Sequence, residues 1–248
     1  GKTVYTYYDS LGRPIQTQQA VGAEQSIISL EYNAADGLTK VTDPRSLQTT
    51  YSPTGLGTVT AQTSPDTGTA TATYDANRNL TGKTDARGKL TTFAYDSLNR
   101  LTTVHYVSGT DTTLEYDGGA TPTPATAGEL TKMTDESGQT RYTYDSAGRL
   151  STKTQVSNGK TFVVTYTWGD TGSALDKLTA ITYPSGTKVN YAYDAQGSVS
   201  GITVNTVNAN GVGVSGTASP LLSAITLTPA GEVSGWSWAS GKTQSRTY

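Results

Sequence analysis

One phrase recurs along this chain and limits what it can fold into. It reads YYDSLGRPIQTQ from Tyr7, TYDANRNLTGKT from Thr73, AYDSLNRLTTVH from Ala94, TYDSAGRLSTKT from Thr143 and AYDAQGSVSGIT from Ala192. Repetition at a spacing of about 20–50 residues marks an architecture of stacked supersecondary units, none of which buries its apolar face alone. Tyr74 to Tyr95 and Tyr95 to Tyr116 are 21 residues each, Tyr144 to Tyr166 is 22, and Tyr51 to Tyr74 is 23. Two strands of about seven residues and two short turns fill about 20 residues.

The copy at 139–168 shows how the phrase works. Tyr142 and Tyr144 alternate with Arg141 and Thr143, which is strand periodicity. In Asp145-Ser146-Ala147-Gly148, Asp at the first position and Gly at the fourth sign a type I turn. The Asp side chain accepts from amides two residues on, and Gly takes the left-handed φ. Ser157-Asn158-Gly159 is a second hairpin turn. Phe162, Val164, Tyr166 and Trp168 then alternate again. The phrase therefore encodes a hairpin. Its turn residues are Tyr8, Asp9 and Gly12; Tyr74 and Asp75; Tyr95 and Asp96; Tyr144, Asp145 and Gly148; Tyr193, Asp194 and Gly197.

Other copies depart from this pattern. Tyr32-Asn33-Ala34-Ala35-Asp36-Gly37 reads as a lengthened turn. Tyr51-Ser52-Pro53-Thr54-Gly55 reads as a copy with Ser for Asp. Asn99 stands where Gly148 stands, and Asn tolerates the left-handed conformation. Connectors sharing a Thr-Asp core, at 38–50, 80–92 and 130–142, read as strand, turn and strand on the other edge. Loop insertions fall near 118–128 and 204–220, with repeats resuming on both sides, so residues 1–248 read as one array.

Composition supports strands. The chain is 34% hydrophobic and 15% charged, with 47 Thr and 16 Tyr. Branched and aromatic residues suit a pleated surface, and a disordered chain lacks such aromatics. Net charge is −2, which gives no basis for nucleic-acid or anionic-membrane attraction. No apolar run reaches the length of a membrane span, and the first residues, GKTVYTYY, have no apolar core of a signal peptide. Cys is absent, so no disulfide or thiolate metal site exists. The fold class expected is all-β: tandem antiparallel hairpins forming a long, curved, twisted strip with Thr and Ser on one face and Tyr and Leu on the other.

The phrases YDSLGRP, YDSAGRL and YDAQGSV, with residues 181–204 and 219–248, resemble the YD repeat of the Rhs family, which includes bacterial Tc toxin shell subunits and part of the teneurins. The resemblance implies a spiralling β-strip that builds a hollow shell around a toxic C-terminal polypeptide. It also implies secretion, or delivery by a bacterial secretion system. Family members close with a segment of the type P-x-x-x-x-D-P-x-G-L, whose aspartates cleave the chain. That pattern is not found here, so no autoproteolytic residue carries over. The ending Arg246-Thr247-Tyr248 matches the approach to another Tyr-Asp phrase, and the chain reads as a piece of a longer wall.

Catalytic signals are few. Asp66-Thr67-Gly68 and Asp170-Thr171-Gly172 share a triplet with aspartic proteases, but Pro65 and Gly169 precede them instead of an apolar strand, and a turn suffices. His105, the single histidine, alternates with Val104 and Tyr106 and reads as a strand-face residue. The repeated aspartates read as turn caps rather than paired glycosidase carboxylates. Asn79-Leu80-Thr81 fits a glycosylation acceptor. The function expected is a structural segment of a toxin-encapsulating shell, with no catalysis, cofactor or metal. Its partners would be the remaining repeats and the toxin domain, with self-association through exposed strand edges. The alternative is a carbohydrate or cell-surface binding module, its aromatic face carried by Trp168, Trp236 and Trp238.

Overall fold

The computed structural model describes residues 3–21, 24–119, 122–206 and 218–248. Most of the loop expected near 204–220 therefore lies outside the described residues. The chain is all-β: the described residues form 21 strands and two single-turn 3-10 segments at Pro124–Thr126 and Gly172–Ala174. The strands fall into two units, Gly1–Thr112 and Thr113–Tyr248.

The first unit holds β1 (Thr3–Tyr8), β2 (Pro14–Val21), β3 (Glu24–Tyr32), β4 (Leu38–Thr42) and β5 (Gln48–Pro53). It continues with β6 (Val59–Ser64), β7 (Gly68–Tyr74), β8 (Leu80–Thr84), β9 (Leu90–Tyr95) and β10 (Leu101–Tyr106). Each strand pairs antiparallel with the next in sequence. The second unit holds β11 (Thr112–Tyr116), β12 (Leu130–Asp135), β13 (Gly138–Tyr144), β14 (Leu150–Ser157), β15 (Lys160–Trp168) and β16 (Leu178–Thr182). Then come β17 (Lys188–Tyr193), β18 (Val199–Asn205), β19 (Ser219–Leu227), β20 (Val233–Trp238) and β21 (Thr243–Ser245), again paired in sequence order. The expected serial hairpins are thus present in both units.

Register sorts the side chains onto two chemically different faces, because neighbours in a strand point opposite ways and direct cross-strand partners point the same way. One row of the second unit runs Thr143, Thr152, Thr165, Thr182. The row on the other face runs Tyr191, Ile202, Leu222, Trp238. In the first unit, Lys40, Thr50, Thr63 and Thr69 share one face, and Leu30 and Val41 the other. Facing threonines bond to each other: the Thr143 and Thr152 hydroxyls are 2.6 Å apart, and those of Thr63 and Thr69 3.0 Å.

Within each unit, no second layer covers either face among the described residues. Ala180 is the single buried apolar residue among those described. Order therefore comes from ladders, turns and half-buried aromatics rather than from a closed core.

Candidate functional site

The repeated residues converge on the turns, and each has a definite job. In the first copy, the Asp9 amide donates to the Arg13 carbonyl at 2.9 Å and the Gly12 amide to the Asp9 carbonyl at 3.1 Å. Asp9 Oδ1 accepts from the amides of Leu11 and Arg13, both at 2.9 Å. The same pattern forms at Asp75, Asp96, Asp145 and Asp194. Gly12, Gly148 and Gly197 hold φ of 78°, 77° and 79°, and Asn99 takes 61° in the same place. The opposite edge uses the same turn at Asp43 and Asp85.

Two diverged copies differ from the sequence reading. The turn after Tyr32 is not lengthened: Asn33 takes the Asp role, its Oδ1 accepting from the Ala35 and Gly37 amides, while Asp36 takes the left-handed position at φ 60°. In the next copy Thr54, not Ser52, caps the turn, and Pro53 ends the strand where the aromatic stands elsewhere. A hydroxyl or amide oxygen replaces the carboxylate because the turn needs only one short acceptor.

The aromatic before each Asp pins the preceding copy. The hydroxyls of Tyr32, Tyr74, Tyr95, Tyr144, Tyr193 and Tyr248 donate to the carbonyls of Pro14, Val59, Leu80, Leu130, Leu178 and Val233, at 2.7–3.0 Å. Tyr8, in the first strand, is 61% exposed and makes no such bond among the described residues. Trp168 does the same job through its indole, donating to the Leu150 carbonyl at 2.8 Å. The aromatic of that copy is thus Trp168 and not Tyr166, two residues earlier. Burial raises the Tyr144 and Tyr193 phenol pKa values, keeping these donors protonated.

A bulge opens the ladder at the same place. Pairing skips one residue opposite Tyr32, Tyr95, Tyr116 and Trp168. The skipped residue is Thr39, Thr102, Thr131 or Thr179, and each hydroxyl donates to the carbonyl of the residue before the aromatic at 3.0–3.1 Å.

Arginine ties turn to turn. Arg149 Nε donates to Asp145 Oδ2 at 2.8 Å, its Nη2 to Asp170 at 2.9 Å and its Nη1 to Asp176 at 2.8 Å. Its guanidinium lies 5.7 Å from the Trp168 ring centroid. Arg13 links Asp9, Asp36 and the Tyr32 ring in the same way. Amide and guanidinium bonds hold several carboxylates below their usual range. For Asp9 and Asp96 the first cause is the backbone amide of Arg13 and Arg100; for Asp75 it is the Asn79 side chain. The 194 copy has Ser198 in place of Arg, and Lys177 substitutes: its Nζ donates to the Gly197 carbonyl and lies 5.3 Å from the Tyr193 ring centroid.

The remaining candidates are held by local contacts. Asp66 and Asp170 each bond an arginine, Arg45 and Arg149. His105 lies on β10, 60% exposed in its side chain, with Nδ1 2.9 Å from Asp111. Asn79 stands where other copies have Arg, its Nδ2 donating to Asp75 and Asn99. Trp236 and Trp238 form an edge-to-face pair, centroids 6.1 Å apart, beside an apolar cleft. Among the described residues no group of His, Asp or Glu could hold a metal, and no helix is long and apolar enough to cross a membrane.

The RHS repeat model matches residues 74–111, 126–162 and 173–211. No curated protein matches. The chain is similar in fold to the crystal structure of TcdB2-TccC3, with TM-score 0.78 and 16% identity over 98% of this chain and 14% of that one. It is similar also to the Photorhabdus luminescens Tc holotoxin pore, with TM-score 0.80 and 17% identity over 98% of this chain and 13% of that one. The chain thus spans about one seventh of the length of these proteins. Its matched repeats and its strand architecture support a likeness to the Rhs/YD-repeat family.

Proposed function

We propose that this chain is a stretch of the wall of an Rhs-type shell that contains a polypeptide, acting by enclosure without catalysis. The observation that carries the reading is the sheet of each unit, one strand layer thick among the described residues, with two chemically unlike faces. A one-layer strip is a poor globule and a good partition. Its repeated residues are spent on turns, bulges and copy-to-copy ties, which stiffen a wall. The TcdB2-TccC3 and Tc holotoxin similarities support a place in a toxin assembly. The two units are read as one continuous array, because the same turn and aromatic pin recur in both. The partners are further repeats, joined through strand edges, and the enclosed polypeptide. The parent polypeptide acts outside the cell that makes it.

Protease protection tests containment. A cleavage sequence is placed C-terminal to the repeats in the parent polypeptide. The reading predicts that it stays uncut while the repeats are folded and is cut once they are unfolded. Cleavage at the rate of a free peptide in the folded protein would refute enclosure.

A further inference from the structure

The Trp236–Trp238 cleft is not explained by the repeat. In seven copies an indole or phenol is spent on a backbone carbonyl, as Trp168 is on Leu150. The Trp236 Nε1 is shut off from water and has no acceptor. Leaving a buried donor unpaired costs about 1–3 kcal/mol, so such a group invites an acceptor. Arg246 lies over the Trp236 ring at 5.1 Å, is exposed, and has no ion pair among the described residues.

These groups border one cleft of about 380 Å³, walled by Ile202, Leu222, Ile225 and the two indoles, with Arg246 its single charged member. That size is at the small end of ligand pockets, about 300–1,000 Å³. The walls are apolar, so they do not supply the several polar groups a sugar needs. Arg246 lies over one face of the Trp236 ring, where a pyranose would stack.

We infer that this cleft seats an acidic–apolar peptide segment: a large apolar side chain fills it, and a neighbouring carboxylate takes the Arg246 guanidinium. Arg246 swings outward to the carboxylate, which uncovers Trp236 Nε1 for a backbone carbonyl of the same segment. Charge complementarity selects an acidic neighbour over a basic one. The inference goes beyond enclosure and concerns the second unit alone, so it is tested on this chain whatever the parent polypeptide does.

The chain has three tryptophans, so its indole N–H region in a nitrogen–proton correlation spectrum is resolvable. The probe is acetyl-Glu-Phe-Leu-amide. The inference expects saturable movement of the Trp236 and Trp238 signals, with Trp236 shifting downfield as it gains an acceptor, and a still Trp168. Arg246→Gln, at an exposed position, should weaken binding at least tenfold, as should acetyl-Lys-Phe-Leu-amide as the probe. Three results would overturn the inference: no saturable shift, equal affinity for the Lys probe or in Arg246→Gln, or saturable shifts with a methyl glycoside in place of the peptide.

Discussion

Replacing Tyr144 with Phe removes one oxygen from the pin between copies. The hydroxyl donates to the Leu130 carbonyl at 2.7 Å, across the bulge where Tyr116 pairs with Leu130. The ring and its packing stay. The loss is the net value of one hydrogen bond, about 0.5–1.5 kcal/mol, raised toward about 2 kcal/mol because the part-buried carbonyl loses its donor. In a serial array such a loss stays with the nearest neighbours. Native-state hydrogen exchange reads it directly, since 1–2 kcal/mol speeds local opening by about 5–30-fold. Amides of 116–119, 130–134 and 140–144 should exchange faster by that factor, and amides of β20 should not change. Unchanged exchange around Leu130, or an equal increase in every strand, would refute the pin.

Trp168→Tyr should keep most of the stability at its turn and Trp168→Phe should lose about 1 kcal/mol, because only the former retains a donor for the Leu150 carbonyl; urea melts of the two variants decide. Gly138→Ala should cost about 3 kcal/mol, since φ is 127° and the new Cβ would collide with the Val156 carbonyl oxygen; a melt within experimental error of the parent chain would contradict this. Carboxylates held low in the fold, Asp9, Asp75 and Asp96 among them, add stability that is present above their unfolded value of about 3.9 and fades as the pH falls through their lowered folded values. The urea midpoint should therefore hold from pH 7 to about pH 4 and drop below it; a flat profile down to pH 2 would contradict the turn-cap account.

The hairpins were legible because their signals are local. Asp145 and Gly148 are three residues apart, and the type I turn they predict is the turn that forms. The Thr and aromatic faces were legible from alternation. The arginine ties were not, because the second partner of Arg149 is 21 or 27 residues away in another turn, and no local pattern names it. Trp168 was read as a binding aromatic because Tyr166 kept the tyrosine interval. The Leu150 carbonyl at its indole and the bulge opposite it show that Trp168 holds the repeat position. The sequence does not mark Thr54 as a cap, because Tyr51, the aromatic of that copy, lies three residues before it rather than one. The Trp236 donor was invisible for the opposite reason: a missing partner leaves no pattern in sequence.

The central claim is a one-layer wall with two different sides, and adjacent residues on β15 test it. Phe162 is 42% exposed and Val163 40%, on opposite faces, and the chain has no cysteine of its own. Phe162→Cys and Val163→Cys are made singly, and maleimide labelling rates are measured in this chain and in the parent polypeptide. The account predicts similar, fast labelling of both in the isolated chain, and at least tenfold slower labelling of one of them in the parent, where that face is enclosed. Protection of one face already in the isolated chain, or equal labelling of both in the parent, would contradict it.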